Sequence, residues 1–258
     1  MGTFSRAIVR RPARSLIEGI TSSPELGLPD YDLALKQHDD YIAALEVCGL
    51  EVTVLEALED YPDSCFTEDT AVLTKKCAII TNPGAESRRA EAHLMLPTIQ
   101  AFFSEDQIEY IVSPGLVEGG DVMMIEDYFY IGRSARTNEA GAKQFIDLLS
   151  LYGYEGSTIP VNDVLHLKTG VTYVGDNTVL TSGEFIGLEE FTGMREIAVP
   201  PAEEYAVNCI KINDRLVVPA GYPKTEAALR DAGFDIVTVD TSEYKKIDGG
   251  LTCLSLRF

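Results

Sequence analysis

Positive charge is what this sequence has least of. Its 258 residues include 21 Lys and Arg against 41 Asp and Glu, giving a formal net charge of −20 and a pI near 4.4. Nucleic-acid binding needs a basic footprint, and such a surface repels phosphates instead. An anionic membrane face is disfavoured for the same reason, and no apolar run approaches membrane-spanning length. The five cysteines (Cys48, Cys65, Cys77, Cys209 and Cys253) are odd in number and form no C-x-x-C pair, so neither a disulfide framework nor a zinc site is expected. The opening MGTFSRAIVRRPARSL lacks the apolar stretch of a secretory signal, and Arg6 stands where a myristoylation signal wants Ser or Thr. These absences predict a protein of a reducing, cytoplasmic compartment. No G-x-G-x-x-G follows the first strand, which argues against a doubly wound sheet. No linker or low-complexity segment divides the chain, so residues 1–258 are read as a single α/β catalytic domain.

A weak internal repeat is present. FTEDTAVLTKKCAIITNPGAESRRAEA, VEGGDVMMIEDYFYIGRSARTNEAGAK, LHLKTGVTYVGDNTVLTSGEF and YAVNCIKINDRLVVPAGYPKTEAAL share one pattern. Each has an apolar strand, a tight polar break, a second apolar strand and a small-residue turn. The breaks are Lys75-Lys76, Glu126-Asp127, Gly175-Asp176-Asn177 and Asn213-Asp214, which carry hairpin-turn chemistry. Helices are predicted at 85–103, 138–152 and 224–232, and a further strand closes each unit. The fifth unit is split between the termini. GGLTCLSLRF supplies a first strand, FSRAIVRRPARSL a second, and 31–48 a helix whose apolar residues follow helical spacing. Pairing the terminal strands closes a ring. The expected architecture is a five-bladed α/β propeller of pseudo-fivefold strand-strand-helix-strand repeats.

With the first strands in register, Glu68-Asp69, Glu118, His166, Asn208 and Cys253 recur every 42–50 residues near their starts. Equivalent positions in a ring converge on its axis. One mouth then holds a thiol, an imidazole and several carboxylates, the inventory for a nucleophile, a general acid/base and a cation clamp. Taken alone, Cys253 in an apolar strand is more often a small buried hydrophobe, but Gly249 and Gly250 beside it allow close approach. His166 alternates with Leu165 and Leu167 and is expected on a strand, opposite them. His38 falls on the buried face of a helix and reads as structural. Nothing basic adjoins Glu118, so a bound cation is an attractive partner for a carboxylate beside an apolar strand. A metal is a rival partner, but one histidine among scattered carboxylates lacks compact ligand spacing. Arg88 and Arg136 stand near helix starts, where the dipole does not favour a cation, so an anionic partner such as a substrate carboxylate is expected. The plainer alternative pairs them with Glu86 and Glu139.

FTEDTA, NPGAESRR, VEGGDV, ARTNEAGA, VLHLKTG and SEYKKIDGGLTCLSLRF resemble the dimethylarginine dimethylaminohydrolase family, and the likeness runs from RRPARSLIEGI through nearly the whole chain. That family belongs to the guanidine-modifying (pentein) superfamily of five-bladed α/β propellers. The resemblance implies hydrolysis of methylated arginine to citrulline through a covalent cysteine adduct, with Cys253 as nucleophile, His166 as acid and base, and Glu118 as guanidinium anchor. Glu68 and Asp69 would be acidic site groups, Arg88 and Arg136 would hold the α-carboxylate, Asp63 would help hold the α-amino group, and the loop around Ile20 would line the amino-acid end. It implies no metal or organic cofactor, and a small methylarginine as the only ligand. A homodimer is one assembly open to such a protein. Cys65 stands where close bacterial relatives often carry valine and receives no role. An arginine or agmatine deiminase would share the nucleophile, histidine and carboxylates. A catalytically silent propeller that binds a macromolecule is the alternative of another class.

Overall fold

The computed structural model describes residues 4–258. The chain starts in the middle of a blade: β1 (Arg6–Arg10), helix α1 (Tyr31–Val47) and β2 (Glu51–Leu55) acquire their third strand only at the far end of the sequence. Blade one comprises β3 (Ala71–Leu73), β4 (Ala78–Ile80), helix α2 (Arg89–Ile99) and β5 (Ile108–Tyr110). Blade two is β6 (Val122–Ile125), β7 (Tyr128–Arg133), helix α3 (Glu139–Leu151) and β8 (Glu155–Pro160). A single turn, α4 (Leu167–Gly170), leads into blade three, β9 (Val171–Gly175), β10 (Thr178–Thr181) and β11 (Arg195–Ala198). Blade four is β12 (Ile210–Ile212), β13 (Arg215–Pro219), helix α5 (Pro223–Asp231) and β14 (Asp235–Val239). Last comes β15 (Leu256–Arg257), which pairs with β1 in the register Ala7 to Arg257 and completes the fifth blade. In every blade the first strand lies antiparallel to the middle one, and the middle one parallel to the third.

The propeller and its closure by the terminal strands are therefore as the repeat predicts. One part of the repeat differs. The third blade has no crossover helix, only two short 3-10 turns at Gly183–Phe185 and Glu189–Phe191. The crossover is interrupted by Gly187 and Gly193, both at positive φ, a conformation that ends a helical run. The hairpin breaks fall at the predicted positions, and Glu126, Asp176, Asn177 and Asn213 take the positive φ that tight hairpin turns demand. Asp30 caps α1 by accepting from Leu33 N at 3.0 Å, and Asn138 caps α3 by accepting from Gly141 N at 2.8 Å.

The core is divided among the blades. Along β1, Ala7 and Val9 enter the apolar cluster beneath α1, whereas Ile8 points the other way, into the cluster of blade one. Ile79 of β4 likewise faces blade two, while Ala78 and Ile80 face α2. The two-residue period of a strand thus feeds two neighbouring wedges of core. Each large side chain buried there contributes roughly 1.5–3 kcal/mol. Around the axis the first strands of all five blades line one cavity with apolar side chains such as Val72, Met124, Tyr173 and Ile210, and the polar groups gather at the turns before those strands.

Candidate active site

Each innermost strand is preceded by a short helical turn: Thr67–Thr70, Gly119–Asp121, α4, Pro201–Val207 and Thr252–Leu254. The repeat positions sit on or flank these turns. This corrects the expectation of strands for His166 and Cys253. His166 is the extended residue capping α4, and Cys253 is the middle residue of its turn. The difference matters chemically. A turn lets consecutive side chains reach unlike surroundings on the axis, where a strand would send every second one into an apolar wedge.

Glu118 is fully buried and lies at the centre of the cluster. Its Oε2 is 2.7 Å from His166 Nε2, and its Oε1 accepts from Ala85 N at 2.9 Å and from Arg136 NH1 at 3.2 Å. The expectation that Glu118 lacks a basic neighbour is therefore corrected: tertiary folding brings it two. Asp69 Oδ2 accepts from Arg88 NH1 at 2.6 Å, and its Oδ1 accepts from Gly120 N at 3.0 Å. A side chain at Gly120 would come within 2.7 Å of the His166 ring, so only glycine lets the imidazole lie this close. Asp121, also fully buried, accepts from Leu167 N at 2.9 Å and Ser134 Oγ at 2.6 Å, and so fixes the turn that carries His166. One ligand atom each from Asp69, Glu118 and His166 lie within 4.8 Å of one another. The same three could meet a metal, but Arg88 and Arg136 already neutralise the two carboxylates.

These contacts set the protonation states. Burial alone would lower the His166 pKa, but the Glu118 hydrogen bond and the charges of Asp121 and Asp69 outweigh it and raise it to about 9. Burial pulls the Glu118 and Asp69 carboxyls upward, yet His166 acting on Glu118, and Arg88 with His166 acting on Asp69, hold both below the ordinary range. Burial, reinforced by Glu68 and Asp69, pushes the Cys253 thiol up to about 12.

One cavity is lined by Ile20, Asp63, Asp69, Arg88, Glu118, Arg136, His166 and Cys253, which are all but one of the residues expected from the sequence. The exception is Glu68. Glu68 instead lines an adjoining cavity with His166 and Cys253, its Oε1 accepting from Lys168 Nζ at 2.6 Å and Arg257 Nη2 at 3.0 Å and its Oε2 from Thr252 Oγ1 at 2.7 Å. Asp63 accepts from Ile20 N at 3.0 Å, which ties the N-terminal segment over the site. Arg88 is buried and bonded to Asp69, to Glu91 at 2.9 Å, and to the carbonyls of Asp63 and Phe66; Glu86 is not its partner. Arg136 is freer, with 19% of its side chain exposed and only Glu118 as acidic partner, not Glu139. Leu165 and Gly249, named from the sequence only as neighbours of His166 and Cys253, complete the wall with Phe66, Ile247 and Asp248, which the sequence did not single out. Asp121, three residues after Glu118 on the same turn, and Lys168, two after His166, could have been found by their spacing.

A family profile described as N,N dimethylarginine dimethylhydrolase, eukaryotic, matches residues 30–190. The N(G),N(G)-dimethylarginine dimethylaminohydrolase of Pseudomonas aeruginosa is 50% identical over 255 residues, covering 99% of this chain and 100% of the relative. This chain belongs to the dimethylarginine dimethylaminohydrolase family. A second family member, from Streptomyces coelicolor, is 38% identical over 98% of this chain and 96% of its own length. In three dimensions, a cysteine-to-serine variant of the Pseudomonas dimethylarginine dimethylaminohydrolase in complex with citrulline superposes with a TM-score of 0.97 at 49% identity, covering 100% of both chains.

Proposed function

We propose that the protein hydrolyses Nω,Nω-dimethyl-L-arginine, and its monomethyl analogue, to L-citrulline and the methylated amine. The observation that carries this reading is that Cys253 and His166 share one cavity with two buried carboxylates, Asp69 and Glu118. The guanidinium lies between these carboxylates, which offset the cost of burying it and orient its central carbon. Its charge also counters Glu68 and Asp69, the groups that, after burial, hold Cys253 protonated, so the thiol releases its proton to solvent and becomes the thiolate when substrate arrives. The thiolate adds to the central carbon and a C–S bond forms. Protonated His166 gives its proton to the departing dimethylamine as the C–N bond breaks, leaving a thiouronium on Cys253. His166, now neutral, takes a proton from water, which attacks the same carbon. The C–S bond breaks as the added hydroxyl becomes the ureido carbonyl and its proton passes to sulfur, so citrulline leaves, the thiol is restored and His166 is again protonated. General acid/base assistance of this kind is worth about a hundred- to ten-thousand-fold.

At the other end of the ligand, Asp63 and the loop at Ile20 receive the α-amino group. The substrate guanidinium replaces Arg136 as the cation neutralising Glu118, which frees Arg136 to join Arg88 on the α-carboxylate. Glu68 contributes from behind, through Thr252. The five cysteines form no disulfide, which suits the cytoplasm. Among the described residues, no helix is long and apolar enough to cross a membrane. The test is citrulline release from dimethylarginine, monomethylarginine, arginine and agmatine, measured side by side. Faster turnover of agmatine or arginine would move the protein to a deiminase. Agmatine has no carboxylate, and two arginines in the cavity wall favour an amino acid.

A further inference from the structure

Four of the five equivalent repeat positions enter the proposed chemistry directly or through their neighbours. The fifth, Asn208, does not. Its side chain borders a cavity shared with His166 and Cys253, and its amide is engaged by the turns that carry them. Asn208 Oδ1 accepts from Thr252 N at 2.8 Å, while Nδ2 donates to Thr252 Oγ1 at 3.1 Å and to Lys168 O at 3.1 Å. The orientation of the amide is unambiguous, because a backbone N–H can only donate and a backbone carbonyl only accept. Thr252 Oγ1 passes its single proton to Glu68 Oε2 at 2.7 Å and receives one from Asn208, so every group in the chain is satisfied. Thr252 immediately precedes Cys253, and Lys168 lies on the turn capped by His166.

The packing around Asn208 shows how close this approach is. A side chain on Gly250 would lie 2.5 Å from Asn208 Cγ. Glycine at 250 therefore admits the amide to the turn that bears Cys253.

We propose that Asn208 is a positioning residue: one amide clamps the turn of the nucleophile to the turn of the acid/base and sets the geometry between Cys253 Sγ and the His166 ring. The proposal rests on the reaction assigned above. All the hydrogen bonds of the Asn208 amide go to Thr252 and Lys168, whereas the contacts expected at the amino-acid end come from Asp63, Arg88 and Arg136. Loosening the clamp therefore slows chemistry without weakening substrate binding. A displacement of about 1 Å between reacting groups is enough to cost on the order of a hundredfold.

The experiment compares steady-state kinetics on dimethylarginine for wild type, Asn208→Ala, Thr252→Val and Thr252→Ser, with rates expressed per folded molecule. Asn208→Ala is expected to lower kcat by about ten- to a hundredfold, with KM within about twofold of wild type. Thr252→Val, which removes the hydroxyl between Asn208 and Glu68, should show the same split, and Thr252→Ser should recover most of the loss. Combining Asn208→Ala with Thr252→Val should cost little more than the worse single change, because both break one clamp. Unchanged kcat in Asn208→Ala, or a loss confined to KM, overturns the proposal. If Asn208→Ala does not fold, the Thr252 pair decides: equal activity of the Val and Ser variants overturns it. A wild-type protein that releases no citrulline refutes the assigned reaction, and the clamp is then judged by the alkylation rate of Cys253, which should change in Thr252→Val and recover in Thr252→Ser. An unchanged rate overturns it.

Discussion

His166 Nε2 and Glu118 Oε2 stand 2.7 Å apart on turns from neighbouring blades, with Glu118 fully buried and His166 at the cavity wall. In the proposed reaction this pair holds the proton that the leaving amine takes. With its pKa raised to about 9, His166 is charged across the neutral range. The imidazole resonance of His166 should titrate near that value, and in Glu118→Gln it should fall towards or below the ordinary histidine value of about 6.5. The linkage has a definite sign. A raised pKa adds stability that is fully present below about pH 6.5 and is lost as pH rises through about 9. Denaturation of wild type and Glu118→Gln at pH 6 and pH 9.5 measures it. A wild-type midpoint near 6.5 would remove the pair as the proton source.

The Cys253 thiol, pushed up to about 12, should be a poor nucleophile until substrate binds. Alkylation of the free protein by iodoacetamide, located by mass spectrometry, should speed up about tenfold per pH unit through pH 9 with no plateau. A plateau near pH 7 would mean that the thiolate is preformed. Cys253→Ser should lose turnover and keep the fold.

Arg136→Ala should lower kcat/KM for dimethylarginine by about ten- to a hundredfold, since one charged hydrogen bond is worth about 1.5–3 kcal/mol. The loss should be much smaller for any decarboxylated analogue that is turned over. Equal losses on the two substrates would assign Arg136 to the fold. Arg88→Ala should differ in kind. It strands Asp69 and Glu91 as buried carboxylates, so it should also cost about 3–5 kcal/mol in unfolding free energy.

His38 provides a test of stability away from the site. Its ring is fully buried, and burial, with the charge of Arg11, outweighs the Asp39 charge and the Arg10 backbone contact and drives its pKa down to about 4. A depressed histidine favours the fold in its neutral form, so its contribution is complete above about pH 6.5 and is lost as pH falls towards 4. The shift corresponds to roughly 3 kcal/mol. Compared with wild type in denaturant titrations at pH 7 and pH 4.5, His38→Leu should lose less stability on acidification. Parallel curves would refute the assignment.

Much of this molecule could be read from the chain. Strand alternation and hairpin breaks such as Asn213-Asp214 are local properties, and five copies of one local pattern leave few ways to pack except around an axis. The split fifth unit implied that β1 and β15 pair, because an incomplete blade has no other partner. Eight site residues could be named because the resemblance runs through whole motifs. The missing helix of the third blade was signalled only by its glycines, whose effect depends on φ angles that the pattern does not state.

What the chain order could not reveal is which charges meet. Glu118 looks unpaired along the sequence, yet 18 residues separate it from Arg136 and 48 from His166 across folded space. Glu68 and Asp69 are adjacent in sequence, but one faces Lys168, Thr252 and Arg257 and the other faces Arg88 and Gly120. The sequence by itself determined the repeat, the ring and the residue types on the axis, because these follow from periodicity and local turn chemistry. Only the tertiary structure decided the direction of each side chain, its partner and its protonation state, because electrostatic energies in a buried site depend on distances of a few ångströms that sequence separation does not encode.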